Sequence, residues 1–266
     1  MTEEPPREPL HEAYAIRFAH HAPRRRPENF LGGDGHDGPM PFDYFVFVVR
    51  GPSGVVVVDT GFDAQVAEKR GREHLRCPSE GLRLLGIDPS EVRDVVLTHL
   101  HYDHSGNQGL FPNARFHLQA AEMAFATGPC MCHRMLRGGY DPEDIAATVR
   151  KLFEGRVAYH QGDGTVAPGI TLHRVGGHTD GQQVVRVMTR QGWLVLASDA
   201  THFFENFERD IPFPWVYHVG ATLDGFRRLR ELASAERLVI PGHDPEIMRR
   251  FPAASEAAAG IVVRLD

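Results

Sequence analysis

Apolar and polar residues follow one another along this chain in short blocks whose period switches between two and about 3.6. "EAYAIRFAHH" (12–21) reads as an edge strand. "DYFVFVVR" (43–50) and "GVVVVDTG" (54–61) read as two strands joined by Gly51-Pro52-Ser53-Gly54, a hairpin turn by composition. Helical spacing follows over 63–76 and 79–86. "DVVLTHL" (94–100), short, β-branched and bounded by polar residues, has the pattern of a parallel core strand. Further strands are predicted at "ARFHLQ", "GRVAYH", "ITLHRVG", "QQVVRVMT", "GWLVLASD" and "RLVIP". Helices are predicted near 119–126, 141–153 and 219–234, and the C-terminal stretch reads as helical and then frayed. Strands alternating with helices in two comparable halves predict an α/β fold, two sheets face to face with helices outside. With no internal linker and no short-period repeat, 11–266 is expected to be one domain behind a disordered, Pro-rich start at 1–10.

The chemistry sits where strands end. "THLHYDHSGN" (98–107) places three histidines and an aspartate within six positions behind an apolar run. If the extended conformation persists, period-two alternation sends His99, His101 and Asp103 to one side. A turn at Ser105-Gly106 then returns His104 to the same point. Such a cluster is a desolvation problem without a partner, and a divalent metal removes it. Three later strand ends add to it: His178 behind Gly176-Gly177, Asp199 after "WLVLAS", and His243 after a Pro-Gly turn. Seven groups exceed what one tetrahedral zinc takes, and suit two metals ~3.5–4 Å apart. The simplest partition gives one metal His99, His101 and His178, the other Asp103, His104 and His243, with Asp199 bridging. Asp59 either holds a ligand imidazole or caps the turn before the helix at 63–76; both readings stay open.

Charge and composition narrow the partners. A net charge of −6 argues against a broad nucleic-acid or anionic-membrane surface, and "RRRPE" (24–28) reads as a solvated loop. No apolar run approaches the ~18 residues of a membrane span, and the acidic, Pro-rich N-terminus does not read as a secretory signal. Three cysteines, Cys77, Cys130 and Cys132, without paired-zinc spacing point to reduced thiols in a cytoplasmic protein.

"THLHYDHSGN", "GGHTDGQ", "ASDA" and "IPGHDP", in this order and spacing, resemble the metallo-β-lactamase superfamily over roughly residues 40–250. The resemblance implies the αβ/βα four-layer sandwich, with a dinuclear site at the sheet edges and the partition above. "SDATHFFENFERDIPF" and "VIPGHDPE" are most similar to N-acyl-homoserine-lactone lactonases. That implies a hydroxide held between two metals attacking the carbonyl of a lactone, an N-acyl-homoserine lactone or a related small one. Asp103 then carries a proton to the departing alkoxide. One position departs: the family usually has a tyrosine three residues after the bridging aspartate, contacting the substrate carbonyl, and here it is His202. Zinc is the first expectation for the metals, with iron, manganese and cobalt as alternatives.

A thioesterase, or another carboxylic ester or cyclic amide hydrolase, is the alternative on the same site. A non-catalytic metal-binding protein is the second. The glyoxalase II kind of thioesterase needs basic C-terminal residues, of which "EIMRRFP" supplies Arg249 and Arg250. For the substrate pocket the candidates are His36 and Phe42 from the Gly-rich stretch 32–42, His133 from "TGPCMCHRMLRGGY" (127–140), and Phe203, Phe207 and Trp215. The last three have a competing reading as aromatics that pack the following helix into the core. The partner expected is a small-molecule lactone or ester, with the chain a monomer or homodimer.

Overall fold

The computed structural model describes residues 8–266, so residues 1–7 of the start expected to be disordered lie outside the described ones. The first sheet contains β1 (Glu12–His21), β2 (Phe42–Gly51), β3 (Gly54–Val58), the two-residue β4 (Glu73–His74), β5 (Asp94–Val96), β6 (Arg115–Gln119) and β7 (Val157–His160). The second contains β8 (Gly164–Ala167), β9 (Ile170–Arg174), β10 (Gln183–Thr189), β11 (Gly192–Ser198) and β12 (Val239–Pro241), and β13 (Val262–Arg264) returns to the first. Strand order is β13-β1-β2-β3-β5-β6-β7 in one sheet, with β4 also on β1, and β12-β11-β10-β9-β8 in the other.

Period-two alternation explains why these strands look continuously apolar. Along β2, Phe45, Phe47 and Val49 point into the layer between the sheets, where they meet Leu172, Val185 and Leu196. Tyr44, Val46 and Val48 point the other way, toward Leu82 of the helix Pro78–Leu84 and Phe125 of the helix Ala120–Ala126. Along β11, Leu194 and Leu196 face the first sheet, and Val195 and Ala197 face Phe226 and Leu229 of the helix Val219–Leu232. Both faces of both sheets are therefore covered, and the four layers are helix, sheet, sheet, helix.

Three local expectations change. β1 is not an edge strand: the C-terminal "VVR" pairs with it (Tyr14 opposite Arg264) where frayed helix was expected, because β-branched residues there fit a pleated surface. The helix expected over 63–76 stops at Arg70, where Gly71 takes the left-handed cap at φ 64° and the chain pairs with β1. The β5 strand ends at Val96, so the motif behind it is not extended throughout: His101 opens a helical turn, Tyr102–Ser105.

Topology brings the chemistry to one edge. β3, β5 and β6 are parallel, as are β11 and β12, so the carboxyl ends just before Asp59, His99, Asp199 and His243 open on the same side. No helix among the described residues is long and apolar enough to cross a membrane.

Candidate active site

His99, His101, His178 and Asp199 bring their ligand atoms within 4.8 Å of one another, and so do Asp103, His104 and His243. Asp199 joins the two sets through different oxygens. Its Oδ2 lies 3.2 Å from His178 Nε2 and 3.9 Å from His99 Nε2. Its Oδ1 lies 3.2 Å from His104 Nε2 and 2.9 Å from His243 Nε2. His101 presents Nδ1, 3.0 Å from His178 Nε2. Asp103 Oδ2 is 3.6 Å from His104 Nε2 and 3.7 Å from His243 Nε2.

Three of the rings are oriented from behind. His178 Nδ1 donates to the Trp215 carbonyl at 2.8 Å and His243 Nδ1 to the Asp43 carbonyl at 2.9 Å. His104 Nδ1 meets Asp59 Oδ2 at 2.7 Å. A ring that donates through Nδ1 turns an Nε2 lone pair toward the centre. Yet Nε2 of His99, His104 and His243 and Oδ1 of Asp199 are buried without a hydrogen-bond partner. Lone pairs aimed at a carboxylate oxygen across about 3 Å repel unless a cation lies between them, so the donor set fits divalent metal.

Protonation follows the same logic. Burial, reinforced by neighbouring imidazoles, pushes His99 and His101 well below the usual histidine range. Burial lowers His178 to about 3. His104 goes the other way: burial lowers it, but Asp199, Asp103 and Asp59 together outweigh that and raise it. The carboxylates thus call for positive charge at the place where a metal would supply it.

Asp59 resolves to one of its two readings. It sits at φ 65°, accepts from the Thr98 backbone at 2.8 Å and holds His104, whereas the helix Ala64–Arg70 is capped by Asp63. Ser198, just before Asp199, is also left-handed at φ 47°. Strained backbone thus flanks the cluster on two sides, as it does at functional sites generally. Gly242 is needed for space: a Cβ there would stand 2.7 Å from Asp199 Oδ1. Gly177 makes room for the helix Val219–Leu232, since a Cβ there would meet Thr222 Oγ1 at 2.5 Å.

The cluster opens into a cavity of about 130 Å³ lined by His101, Asp103, His178, Asp199, His202 and His243. His202 Nε2 lies 3.1 Å from Asp199 Oδ2 and its ring stacks on Phe213 at 3.9 Å; burial lowers its pKa to about 4, so it is a neutral ring. Phe42 lines the cavity stacked on His243 at 4.2 Å, and Trp215 lines both it and an adjoining groove of about 600 Å³.

The other pocket candidates are elsewhere. Phe207 packs on Phe226 between the second sheet and its helix, and Phe203 is buried against Phe42 behind the cavity wall. For Phe207 the helix-packing reading holds, since its ring meets Phe226 of the helix Val219–Leu232, whereas Phe203 joins the core of the first sheet with Phe42 and Phe213. His36 is 88% exposed and bonded to Asp34, and His133 is exposed at the start of the short helix Arg134–Arg137. Neither lines the cavity. Arg249 and Arg250 are occupied by Glu246 and the Phe204 ring, outside the cavity.

Sequence reasoning missed four side chains. Arg24, Arg70 and Arg72 line the cavity, so "RRRPE" is not wholly a solvated loop. Glu122, fully buried, accepts from Leu100 N (3.0 Å), Tyr140 Oη (3.0 Å), Thr179 Oγ1 (2.6 Å) and Gly181 N (3.2 Å). It ties the His99–His101 segment to the loop bearing His178. An acid on the apolar face of "AAEMAFA" was the available signal.

Residues 40–243 match the model of the metallo-beta-lactamase superfamily. Among curated proteins, the chain is similar to N-acyl homoserine lactonase AttM of Azorhizobium caulinodans, with 31% identity covering 84% of this chain and 89% of that one. It is 32% identical to an N-acyl homoserine lactonase of Bacillus cereus, the match covering 62% of this chain but only 61% of that one. The solved structure of an N-acyl homoserine lactone hydrolase with the product N-hexanoyl-L-homoserine at its catalytic metal centre shares the fold, with TM-score 0.74, 22% identity and coverage of 91% of this chain and 96% of that one. The two-sheet sandwich, the histidine–aspartate cluster at its edge and the family match together establish that this chain belongs to the metallo-β-lactamase superfamily and is one of its hydrolases.

Proposed function

We propose that this chain opens a lactone ring by hydrolysis at a dinuclear metal centre. The observation that carries the reading is Asp199: one oxygen faces His99 and His178, the other His104 and His243, with unpartnered nitrogens on both sides. One ion would sit among His99, His101 and His178, the other among Asp103, His104 and His243, zinc being the first choice and iron, manganese or cobalt the others. When bound, such a pair supplies a hydroxide at neutral pH and polarises the scissile carbonyl.

The chain's own residues do the rest. Glu122 and Asp59 hold the ligand-bearing loops in register. His202, neutral and walled by Phe213, is placed to donate to the carbonyl oxygen where the relatives are expected to use tyrosine. Asp103, at the cavity wall, is placed to pass a proton to the departing ring oxygen. Names of similar proteins support lactones as the substrate class. The remoteness of Arg249 and Arg250 disfavours the glutathione-thioester alternative.

The test is metal content with proton release, on protein reconstituted with zinc, against homoserine lactones, simple γ-lactones, aryl esters and thioesters. Two equivalents of metal per chain and lactone turnover above that of the esters support the reading. One equivalent, or turnover confined to thioesters, overturns it.

A further inference from the structure

The cavity beside the cluster contains three guanidinium groups. Arg24 is half-buried, its guanidinium carbon 5.2 Å from the Phe42 ring centre and 4.9 Å from that of Phe213. Arg70 lies over the Tyr102 ring at 3.7 Å, and Arg72 Nε reaches Tyr102 Oη at 3.3 Å. All three line the cavity with His101, His178 and Asp199.

None of the three has a carboxylate partner among the described residues. Arg24 donates to Asn29 Oδ1 and the Glu28 carbonyl; Arg70 donates to the carbonyls of Gly138 and Tyr140; Arg72 reaches Tyr102 and His21. Arg70 Nε is buried with no partner at all. The neighbours in the same loop behave differently: Arg25 pairs with Asp37, Arg26 with Glu205 and Asp34. Glu28, beside Arg24, turns its carboxylate to the Arg25 backbone N–H. Asp103 and Asp199, the carboxylates of the cavity, face the histidines. Burial pushes Arg24 below its usual range; Glu28 pulls the other way without pairing with the guanidinium, and the nearby Arg72 adds to the lowering. Three cations gathered at one mouth without a counter-ion are costly unless an anion arrives. Guanidinium forks match a carboxylate in shape as well as charge.

We propose that Arg24, Arg70 and Arg72 form an anion subsite, and that the substrate is a compact lactone carrying a carboxylate, held there while its ring carbonyl faces the metal centre. The inference rests on the lactone reading above and narrows it. The cavity, about 130 Å³, suits a ring with a short substituent. In the reaction, water adds across the acyl carbon–oxygen bond. The carbonyl carbon keeps the incoming oxygen, the ring oxygen leaves as an alcohol, and one proton is released as the hydroxy acid ionises to a dicarboxylate.

The experiment compares γ-butyrolactone bearing a carboxylate on the carbon next to the ring oxygen with its primary carboxamide and with N-hexanoyl homoserine lactone, on zinc-loaded protein. The expected result is a kcat/KM for the carboxylate roughly tenfold or more above the carboxamide. The preference should lie in KM and shrink with added salt. Arg24→Gln and Arg72→Gln should each cut it roughly tenfold, and Arg72→Lys should retain part of it. Equal turnover of acid and amide overturns the anion subsite while leaving the lactone reading intact. If no lactone reacts, calorimetry with the ring-ketone analogue 3-oxocyclopentane carboxylate and its amide decides. Tighter carboxylate binding that is lost in Arg24→Gln keeps the subsite and sinks the lactone reading; equal binding sinks the subsite.

Discussion

The histidine–aspartate cluster and the cavity mouth lie side by side but are built differently. In the cluster, His104, His178 and His243 leave strand ends or the turns behind them and are braced from behind by Asp59, the Trp215 carbonyl and the Asp43 carbonyl. At the mouth, Trp215 and Met135 are exposed on loop or short-helix segments, and Arg24 is held by Asn29 and two aromatic faces. The difference separates chemistry from selection. Bracing fixes a geometry that must hold to fractions of an ångström, whereas loops carry the contacts that choose a substrate.

If that division is right, the largest effect belongs to the bridge. Asp199→Asn should lower turnover on the order of 1,000-fold, the several kcal/mol a metal centre contributes, with metal content falling in parallel. Full activity with two metals bound would dissolve the distinction. Phe207→Ala, in the packing layer, should cost about 3–5 kcal/mol of stability in denaturant unfolding. It should leave KM of the surviving folded enzyme unchanged. Asp59→Asn keeps the shape behind His104 but removes its charge, and should weaken metal binding roughly 10- to 100-fold in a chelator competition. Trp215→Ala, at the mouth, should raise KM several-fold with a stability change of about 0.5 kcal/mol or less, as surface positions show.

The smallest effect concerns a carboxylate in neither region. Asp144 is raised to about 7 by burial, then by Asp141, and its Oδ2 has no partner. Its folded pKa lies above its unfolded value near 3.9, so the folded state holds the extra proton between the two. Stability should therefore fall as pH rises from about 4 to 7 and level off above. Asp144→Asn should remove that slope, gaining about 1 kcal/mol at pH 8 after solvent screening. Identical pH profiles for parent and variant would refute the assignment. Asp199 shifts the opposite way: burial raises it, but the surrounding histidines outweigh that.

Legibility divides along the same line. The seven cluster residues were readable because each follows an apolar run or sits in the "HLHYDH" block, where the local pattern reveals both burial and chemistry. Asp103 reaches the centre through the helical turn Tyr102–Ser105 rather than by alternation, and His104 lies within that turn instead of being returned by one at Ser105-Gly106. Glu122 was less legible, since a single acid in an apolar stretch does not say which loops it will bind. Phe203, Phe207 and Trp215 lie within thirteen positions, yet only Trp215 reaches the cavity. Which face of a short helical turn looks inward depends on the helix that later packs against it.

What the sequence determined by itself was the strand-and-helix alternation and the set of histidines and aspartates that gather at the sheet edge, because hydrophobic period and residue type are local properties. What only the tertiary structure decided was the pairing of β1 with β13, the assignment of Asp59 to His104, and the convergence of Arg24, Arg70 and Arg72 on one cavity. Those depend on contacts between segments far apart in the chain, whose partners are chosen by the packing of both sheets rather than by any pattern within a window of residues.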